Sequence, residues 1–327
     1  MTSPSPAPAV RVLAPARLHL GFLDLNGSLE RRFGSLGLAI DQPATVIELS
    51  HARADMVSGI ERERASRALD RFRSALGVAA PVHLTILEAI PAHAGLGSGT
   101  QLALAIGAAL SALHGGGIDV VRLGEVQERG ARSAIGMAAF ATGGFAVDGG
   151  RRPEGPSAPV LTRHRFPPAW RILLVLDPGN AGVHGEREVE AFATLPPMRA
   201  ETSAHLCRLT LMRLLPALAE RDITNFGAAV AEIQAITGDH FAPAQGGRWA
   251  SARVGAFLER LQRAGALGIG QSSWGPTGFC FTATPEEAER LYHSFGRDAK
   301  REGLELRVVA GRNSGATVAT PPGAART

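Results

Sequence analysis

The strongest chemical signal in the sequence comes from three glycines at alternate positions, Gly95, Gly97 and Gly99. Before them, residues 82–86 alternate between apolar and polar types, which predicts a half-buried strand, and after them residues 102–113 repeat apolar side chains at helical spacing. A strand, glycine-rich loop and helix in that order direct free backbone N–H groups and the positive end of a helix dipole at one point. The pattern predicts an anion-binding loop; the alternative is a turn that only reverses the chain.

This loop has a pattern of its own. Ser98 and Thr100 are residue types that cap helix N-termini, and Ser98 could also donate a hydrogen bond to a phosphate oxygen or bind Mg²⁺. No Gly-Lys-Ser/Thr follows, so this is not a Walker loop, and the spacing differs from the Gly-x-Gly-x-x-Gly of dinucleotide-binding folds. The predicted phosphate-binding residues of the loop are Gly95, Leu96, Gly97, Ser98, Gly99 and Thr100.

Charged side chains elsewhere could act with this loop. Arg17 and His19 are two residues apart in a stretch with strand alternation, so both side chains are expected on one face. Arg129 and Arg132 straddle a predicted turn, where they either form forks for a phosphate or belong to a solvated helix end. Residues 61–76 are highly charged at helical spacing, which predicts a solvated amphipathic helix.

Composition limits the class of protein. The chain has 327 residues with 45% hydrophobic and 20% charged side chains and a formal net charge of +4, as expected of a folded chain with room for two domains. Lys300 is the one lysine, so a bound phosphate is expected to be held by arginine forks or backbone amides. Aromatic residues are 5% of the chain and the arginines are scattered among acids, so nucleic-acid binding is not expected.

A few further features bear on location and assembly. No apolar run is long enough to cross a bilayer, and residues 1–9 have the composition of a flexible leader rather than of a signal peptide. Cys207 and Cys280 are not in a Cys-x-x-Cys pair, which favours reduced core residues. We expect a cytoplasmic protein that acts on small molecules without membrane or nucleic-acid partners, and a homodimer because dimers are the commonest oligomers.

The predicted elements form two halves, each with one glycine-rich passage attached to a strand. Residues 172–176 are a fully apolar run that predicts a buried strand, and residues 265–278 form the second glycine-rich passage. The segment 150–168 is rich in Pro, Gly and Arg, so we place the domain change there, with domains at 1–165 and 166–327. The predicted fold class is α+β.

The glycine-rich passages, in this order, resemble those of the GHMP kinase superfamily. The resemblance rests on Pro91-x-x-x-Gly95-Leu96-Gly97-Ser98, on Ala14-Pro15-Ala16-Arg17 and on Gly268-Ile269-Gly270. It implies an N-terminal ribosomal-protein-like α/β domain, a C-terminal ferredoxin-like domain and, as one functional alternative, an ATP-dependent small-molecule kinase. Several of these kinases carry an aspartate base where this chain has Gly136, which weakens the kinase alternative.

The departures from the kinase pattern resemble one narrower family, the beta-ribofuranosylaminobenzene 5'-phosphate synthases. Four passages carry this resemblance, at residues 17–27, 95–101, 129–140 and 270–277. It implies phosphoribosyl transfer from phosphoribosyl diphosphate to 4-aminobenzoate or 4-hydroxybenzoate, with release of diphosphate and carbon dioxide, in tetrahydromethanopterin biosynthesis. Mg²⁺ is expected to arrive with the diphosphate, since no spacing of Asp, His or Cys predicts a tightly held metal. A non-catalytic sensor of a phosphorylated ligand is a third alternative.

Each passage receives a predicted role in that reaction. Arg17, His19 and Asp24 are the predicted catalytic residues, with service to the following Asn-Gly turn as the alternative for Asp24. The passage 271–274 offers hydrogen bonds beside a flat apolar face, which suits a benzoate ring, and Trp274 is expected near a surface cleft. The predicted acceptor-binding residues are Gln271, Ser272, Ser273 and Trp274.

Overall fold

The computed structural model describes residues 9–117, 119–126, 133–154, 157–183 and 185–319. Eleven strands lie within these residues: β1 Ala9–Asp24, β2 Phe33–His51, β3 Met56–Gly59, β4 Val82–Glu88, β5 Phe145–Asp148, β6 Val160–His164, β7 Arg171–Leu176, β8 Leu267–Gln271, β9 Gly278–Thr282, β10 Glu305–Ala310 and β11 Thr317–Ala319. The described helices are α1 Arg62–Leu76, α2 Ser98–Leu113, α3 Val120–Val126, α4 Ile135–Ala141, α5 Glu186–Thr194, α6 Ala200–Leu209, α7 Leu215–Glu220, α8 Ile223–Gln245, α9 Ala252–Arg263 and α10 Pro285–Arg301. A π-helical segment, Thr210–Leu214, joins α6 to α7.

The first sheet has the strand order β11-β1-β2-β4-β3, with β5 paired to β2 and β6 paired to β5. Its centre is the long antiparallel hairpin of β1 and β2, in which Leu18 pairs with Leu38. Helices α1 and α2 cover one face, where Phe72 and Leu104 are fully buried with Ile47. Because α2 follows β4 through the glycine-rich loop, this packing fixes the position of the loop.

The second sheet has the order β10-β7-β9-β8, and all its neighbours are antiparallel. With helices between β7 and β8 and α10 between β9 and β10, this is the β-α-β-β-α-β arrangement of ferredoxin-like folds. Leu173 and Val175 of β7 pack in the core under α9 and α10, whereas Ile172 and Leu174 pack in a core that also contains Leu18 of β1. The two halves therefore share one hydrophobic core.

These observations confirm the predicted α+β fold, with an N-terminal α/β domain and a ferredoxin-like C-terminal domain. The division into 1–165 and 166–327 stays a prediction: β6 ends at His164 in the first sheet and β7 begins at Arg171 in the second, but β11 returns to pair with β1. In the part of the chain that the structure describes, no helix is both long and apolar enough to span a bilayer.

The glycine-rich passage 265–278 contains strand β8, which its glycine content hides from sequence analysis. Helix α8 packs so closely on this strand that side chains would not fit. A Cβ on Gly268 would lie 3.0 Å from Gly227 Cα, and a Cβ on Gly270 would lie 2.6 Å from Gln234 Cγ. Glycine here allows a helix to approach a sheet.

Candidate active site

The glycine-rich loop leads directly into α2, whose N-cap is Gly97. Gly97 has a φ of +83°, and no side chain of a described residue caps the helix. Its carbonyl oxygen accepts hydrogen bonds from the N–H groups of Thr100 and Gln101, both at 3.1 Å. The prediction that Ser98 or Thr100 is the cap is therefore wrong, because Ser98 is already helical. The Ser98 hydroxyl and the N–H groups of Ser98 and Gly99 are left at the helix start, where an anion is favoured.

The two glycine-rich passages meet at Gly95. Gly95 has a φ of +78°, and a Cβ there would overlap the carbonyl oxygen of Ser272. The Ser272 hydroxyl donates a hydrogen bond to the Gly95 carbonyl oxygen at 2.7 Å. Gly97 is constrained from another side, since a Cβ there would lie 3.3 Å from Arg17 Cγ. The Ser272 carbonyl oxygen is sufficient to require glycine at position 95, whereas glycine at position 97 is favoured mainly by its positive φ.

Arg17 joins β1 to the loop. Its Nη1 donates to the Gly95 carbonyl oxygen at 2.6 Å, and its backbone N–H donates to the Leu96 carbonyl oxygen at 3.1 Å. The Leu96 side chain is fully buried in the shared core, so Leu96 anchors the loop and offers a phosphate only backbone atoms. Burial lowers the pKa of the Arg17 guanidinium to about 10, and the Glu188 carboxylate opposes this shift. Arg17 therefore stays positively charged at neutral pH.

His19 lies on β1 and is tied by its backbone to the second glycine-rich passage. Its N–H donates to Ser272 Oγ at 3.0 Å, and its carbonyl oxygen accepts from the Ser273 N–H at 3.3 Å. Since Ser272 Oγ also bonds to Gly95, one buried serine hydroxyl connects β1, the glycine-rich loop and the second passage. The structure thus brings Arg17, His19, the loop and the predicted acceptor passage together.

The His19 imidazole is buried beside Phe22, with the two ring centroids 4.6 Å apart. Burial and, second, the charge of Arg17 lower the pKa of this imidazole to about 3, so His19 is neutral at physiological pH. A neutral imidazole can position a substrate by hydrogen bonding, but it cannot act as an imidazolium acid. A catalytic role for His19 stays a prediction, and it is limited to hydrogen bonding by the neutral ring.

A cavity of about 20 Å³ lies beside His19, between β1 and α8. Phe22 and Phe241 line it, and Thr237 adds a buried hydroxyl with no hydrogen-bond partner among the described residues. This volume holds about one water molecule, so an aromatic acid would require its walls to move. Thr237 and Phe241 were not among the predicted site residues; their spacing of four along α8 was the available signal.

The predicted acceptor-binding residues hold the fold together. Trp274 is 3% exposed and packs on Phe241 with ring centroids 4.3 Å apart, so the expectation of a place at a surface cleft is wrong. Gln271 Oε1 accepts from the Ala250 N–H at 2.7 Å, and Gln271 Nε2 donates to the Ser273 carbonyl oxygen at 3.1 Å. Acceptor binding by these four residues stays a prediction.

The remaining predicted residues lie apart from this junction or outside the described residues. Asp24 ends β1, and its Oδ1 accepts from the N–H groups of Asn26 at 2.6 Å and Gly27 at 3.0 Å. This is the turn role that was its alternative, and a catalytic role for Asp24 stays a prediction. Arg129 and Arg132 lie outside the described residues. Over the described ranges, no group of three or more His, Cys, Asp or Glu side chains is placed to hold a metal ion.

Known proteins match this chain along most of its length. The family model GHMP kinases N terminal domain matches residues 63–144, and GHMP kinases C terminal matches residues 214–301. A beta-ribofuranosylphenol 5'-phosphate synthase of Archaeoglobus fulgidus is 33% identical over 327 residues, covering 94% of this chain and 99% of that protein. The chain belongs to the beta-ribofuranosylphenol 5'-phosphate synthase family. A second such synthase, of Methanothermobacter thermautotrophicus, is 32% identical over 92% of this chain and 96% of that protein.

Membership of this synthase family confirms the predicted family and makes the chain an enzyme of the pentosyltransferase type. Solved structures share the fold. Homoserine kinase from Cytophaga hutchinsonii has a TM-score of 0.66 at 18% identity, over 98% of this chain and 100% of that chain. Mevalonate pyrophosphate decarboxylase from Streptococcus pyogenes has a TM-score of 0.64 at 15% identity, over 94% of this chain and 98% of that chain. At these identities the two structures establish the fold alone.

Gly136 has no side chain, at the position where the resemblance to GHMP kinases implies an aspartate base in several of them. Gly136 lies in α4 and faces α2, where a Cβ would be 3.1 Å from the Thr100 methyl group. Gln101 Nε2 donates to the Gly136 carbonyl oxygen at 2.8 Å. The start of α4 is held by Asp148, which accepts from the Ala134 N–H at 2.8 Å and whose pKa is raised by burial. Helix α4 therefore packs on α2 without a carboxylate at this point.

Proposed function

We propose that this synthase transfers the phosphoribosyl group of phosphoribosyl diphosphate to the ring of 4-hydroxybenzoate or 4-aminobenzoate, releasing diphosphate and carbon dioxide, in tetrahydromethanopterin biosynthesis. The observation that carries the proposal is the junction of the glycine-rich loop, Arg17 and the aromatic cavity beside His19, in a chain of this family. The reaction requires an anion site next to an aromatic site, and this cavity would have to open to hold the acceptor, since it has room for about one water molecule.

The loop is the proposed site for the diphosphate. The N–H groups of Ser98 and Gly99 and the positive end of the α2 dipole favour an anion there. Arg17 adds a guanidinium held against the Gly95 carbonyl oxygen. Mg²⁺ would be held by diphosphate oxygens and by the Ser98 hydroxyl, which helix capping does not use. Bound there, the metal would supply charge neutralisation of the leaving group.

The proposed reaction breaks the bond between ribose C1 and the diphosphate oxygen and forms a bond from C1 to the ring carbon that carries the carboxyl group. That carbon then releases carbon dioxide, and the electron pair of the broken bond restores the aromatic ring. C1 gains positive charge as the diphosphate leaves, so a neutral His19 opposes the reaction less than a charged one. Phe22 and Phe241 offer apolar ring faces to the acceptor.

The acceptor preference is supported by the relatives. Their name describes a ribosylated phenol, which favours 4-hydroxybenzoate over 4-aminobenzoate for this chain as well. Both acceptors carry a substituent that donates electrons to the ring carbon opposite, so the same site chemistry serves either one.

A paired turnover assay tests the function. Purified protein with Mg²⁺ receives phosphoribosyl diphosphate with carboxyl-labelled 4-hydroxybenzoate or 4-aminobenzoate and, separately, ATP with a panel of alcohols. We expect labelled carbon dioxide and diphosphate in equal amounts and no ADP. ADP without carbon dioxide would support the ATP-dependent kinase, and ligand binding without any turnover would support the sensor; either result would overturn the proposal.

We also propose that the enzyme is a cytoplasmic homodimer. Cys280 is buried as predicted, whereas Cys207 is exposed, so its predicted place in the core is wrong. Both are free thiols, as a reducing compartment allows, and twofold dimers are the commonest assemblies. Light scattering after size exclusion is expected to give twice the chain mass of 34.1 kDa. The mass of a single chain would contradict the dimer.

A further inference from the structure

A second cavity, of about 150 Å³, lies between α1 and the start of α2. Arg64, Arg67 and Arg71 of α1 line one side of it, and Gly99 and Ala103 of α2 line the other. The three arginines are three and four residues apart, so their guanidinium groups lie on one face of the helix. None of them belongs to the junction described above.

Among the described residues, only one of the three arginines on this face of α1 is paired with an acid. Arg64 donates to Glu61 Oε2 at 2.8 Å, whereas Arg67 and Arg71 have no carboxylate partner in the parts of the chain described here. Like charges four residues apart on a helix destabilise it. An anion bound between Arg67 and Arg71 would reduce this repulsion, so a ligand would offset the loss of stability that the two charges cause.

The wall formed by α2 adds to the positive potential of the cavity. Gly99 lies in the first turn of α2, where N–H groups have no partner within the helix and the helix dipole is positive. Leu102 also lines this wall, but Gly99 has no side chain and that of Ala103 is one methyl group, which leaves space next to the arginines. The guanidinium groups of α1 and the positive end of α2 therefore both favour an anion in this cavity.

We propose that Arg64, Arg67 and Arg71, with the first turn of α2, form a second phosphate subsite that binds one phosphorylated end of the substrate. This rests on the proposed function, because phosphoribosyl diphosphate carries a diphosphate at C1 and a phosphate at C5. One end binds here and the other binds at the loop beside Arg17. Arginine forks match the spacing of phosphate oxygens. The sequence-based prediction of a solvated helix holds for the exposed Arg67 and Arg71 but misses this convergence.

Calorimetric titration of the full chain with pyrophosphate and with ribose 5-phosphate tests the subsite. In the Arg67→Gln/Arg71→Gln variant, affinity for at least one of these ligands is expected to fall about tenfold for each arginine removed. Arg62→Gln is the control, since Arg62 lies on the same helix but does not line the cavity; less than about a twofold change is expected from one solvated charge. A fall for ribose 5-phosphate alone places the C5 phosphate here and leaves the diphosphate at the loop. A fall for pyrophosphate alone would place the diphosphate here and would overturn its proposed position at the loop.

Thermal unfolding separates binding from folding. Without ligand, the double variant is expected to unfold at the same temperature as the wild type or higher, because like-charge repulsion is removed. With ligand, it is expected to gain less stability than the wild type. Unchanged affinity for both ligands in the folded double variant would overturn the subsite. Binding is measured without turnover, so the two proposals can fail separately. If the double variant binds ligand more weakly than the wild type, but the wild type shows no synthase activity, the proposed function is overturned and the subsite is not.

Discussion

The two glycine-rich passages have similar compositions, but they contain glycine for different reasons. In the first passage, Gly95 has a φ of +78° and turns the backbone against Ser272. In the second passage, Gly270 lies in strand β8 next to a register shift against β9 and does not have a positive φ. Gln234 of α8 and Phe279 of β9 occupy the space that its side chain would need. One glycine shapes a loop before a helix start, whereas the other allows a helix to pack on a sheet.

A glycine cluster therefore indicates a close approach without saying what approaches. What separates the two passages is the use of their backbone donors. The helix start after the loop keeps N–H groups available to a ligand. At the end of β8, the Gln271 N–H already donates to Gln234 Oε1 at 2.7 Å. A binding site requires donors that the fold has not used.

Gly95→Ala is expected to have the largest effect on this contrast. The added Cβ would overlap the Ser272 carbonyl oxygen, so the loop must move relative to β1. Since a shift of about 1 Å can cost about a hundredfold in rate, kcat/KM for phosphoribosyl diphosphate should fall at least about a hundredfold. Stability should fall by roughly 2–4 kcal/mol. Steady-state kinetics and urea unfolding measure these two quantities.

Gly115→Ala is the matched control for that variant. Gly115 has a φ of +71°, but no described atom lies within 4 Å of a Cβ placed there. It therefore carries only the backbone strain, of roughly 1–2 kcal/mol, and kcat/KM should not change. Equal kinetic losses in the two variants would show that the contact with Ser272 is not what makes Gly95 necessary.

Gly270→Ala is expected to have an intermediate effect that is confined to stability. The new Cβ would lie 2.5 Å from Phe279 Cζ and 2.6 Å from Gln234 Cγ, which belong to two buried side chains that must shift. Overpacking of this kind typically costs about 1–3 kcal/mol, measured by urea unfolding. Affinity for pyrophosphate, measured by calorimetry, should stay the same because the loop does not move. A large loss of affinity would mean that the two passages act as one unit.

The smallest effect is the loss of stability expected when the pH is lowered, because buried His19 resists protonation. Its pKa of about 3 in the folded chain is below the ordinary 6.5, so below pH 6.5 the unfolded chain binds a proton that the folded chain does not. Stability therefore falls as pH decreases from 6.5 toward 3, by about 1.4 kcal/mol at one pH unit below 6.5. His19→Gln should remove this loss when urea midpoints at about pH 7.5 and 5.5 are compared. An equally steep loss in the variant would contradict a neutral, buried His19.

Sequence analysis predicted most elements because their signals are local. The run Thr284-Pro285-Glu286-Glu287, with a cap, a proline at the first helical position and two acids, is typical of a helix start, and Thr284 Oγ1 accepts from the Glu287 N–H at 3.2 Å. The apolar run 172–176 is β7, and the charged segment 61–76 is α1. Each of these patterns is complete within a few residues, so no distant contact is needed to interpret it.

The site depends on contacts between distant segments, and there the sequence was a weaker guide. Ser98 is a good cap by type, yet the left-handed Gly97 takes that position. Trp274 is buried because Phe241, on the distant helix α8, covers it. The arginines of α1 resemble any solvated helix face until α2 is placed beside them. In each case a second segment decides the role.

The pairing of β11 with β1 has a consequence for synthesis of the chain. Leu13 of β1 pairs with Thr317, so this strand leaves the ribosome about 300 residues before its outer neighbour is made. At roughly 5–20 residues per second, the delay is about 15–60 s. During that time the edge of β1 is open to pairing with other nascent chains. The last strand of the described chain therefore closes an edge that translation leaves exposed, and the period of greatest aggregation risk ends only when it docks.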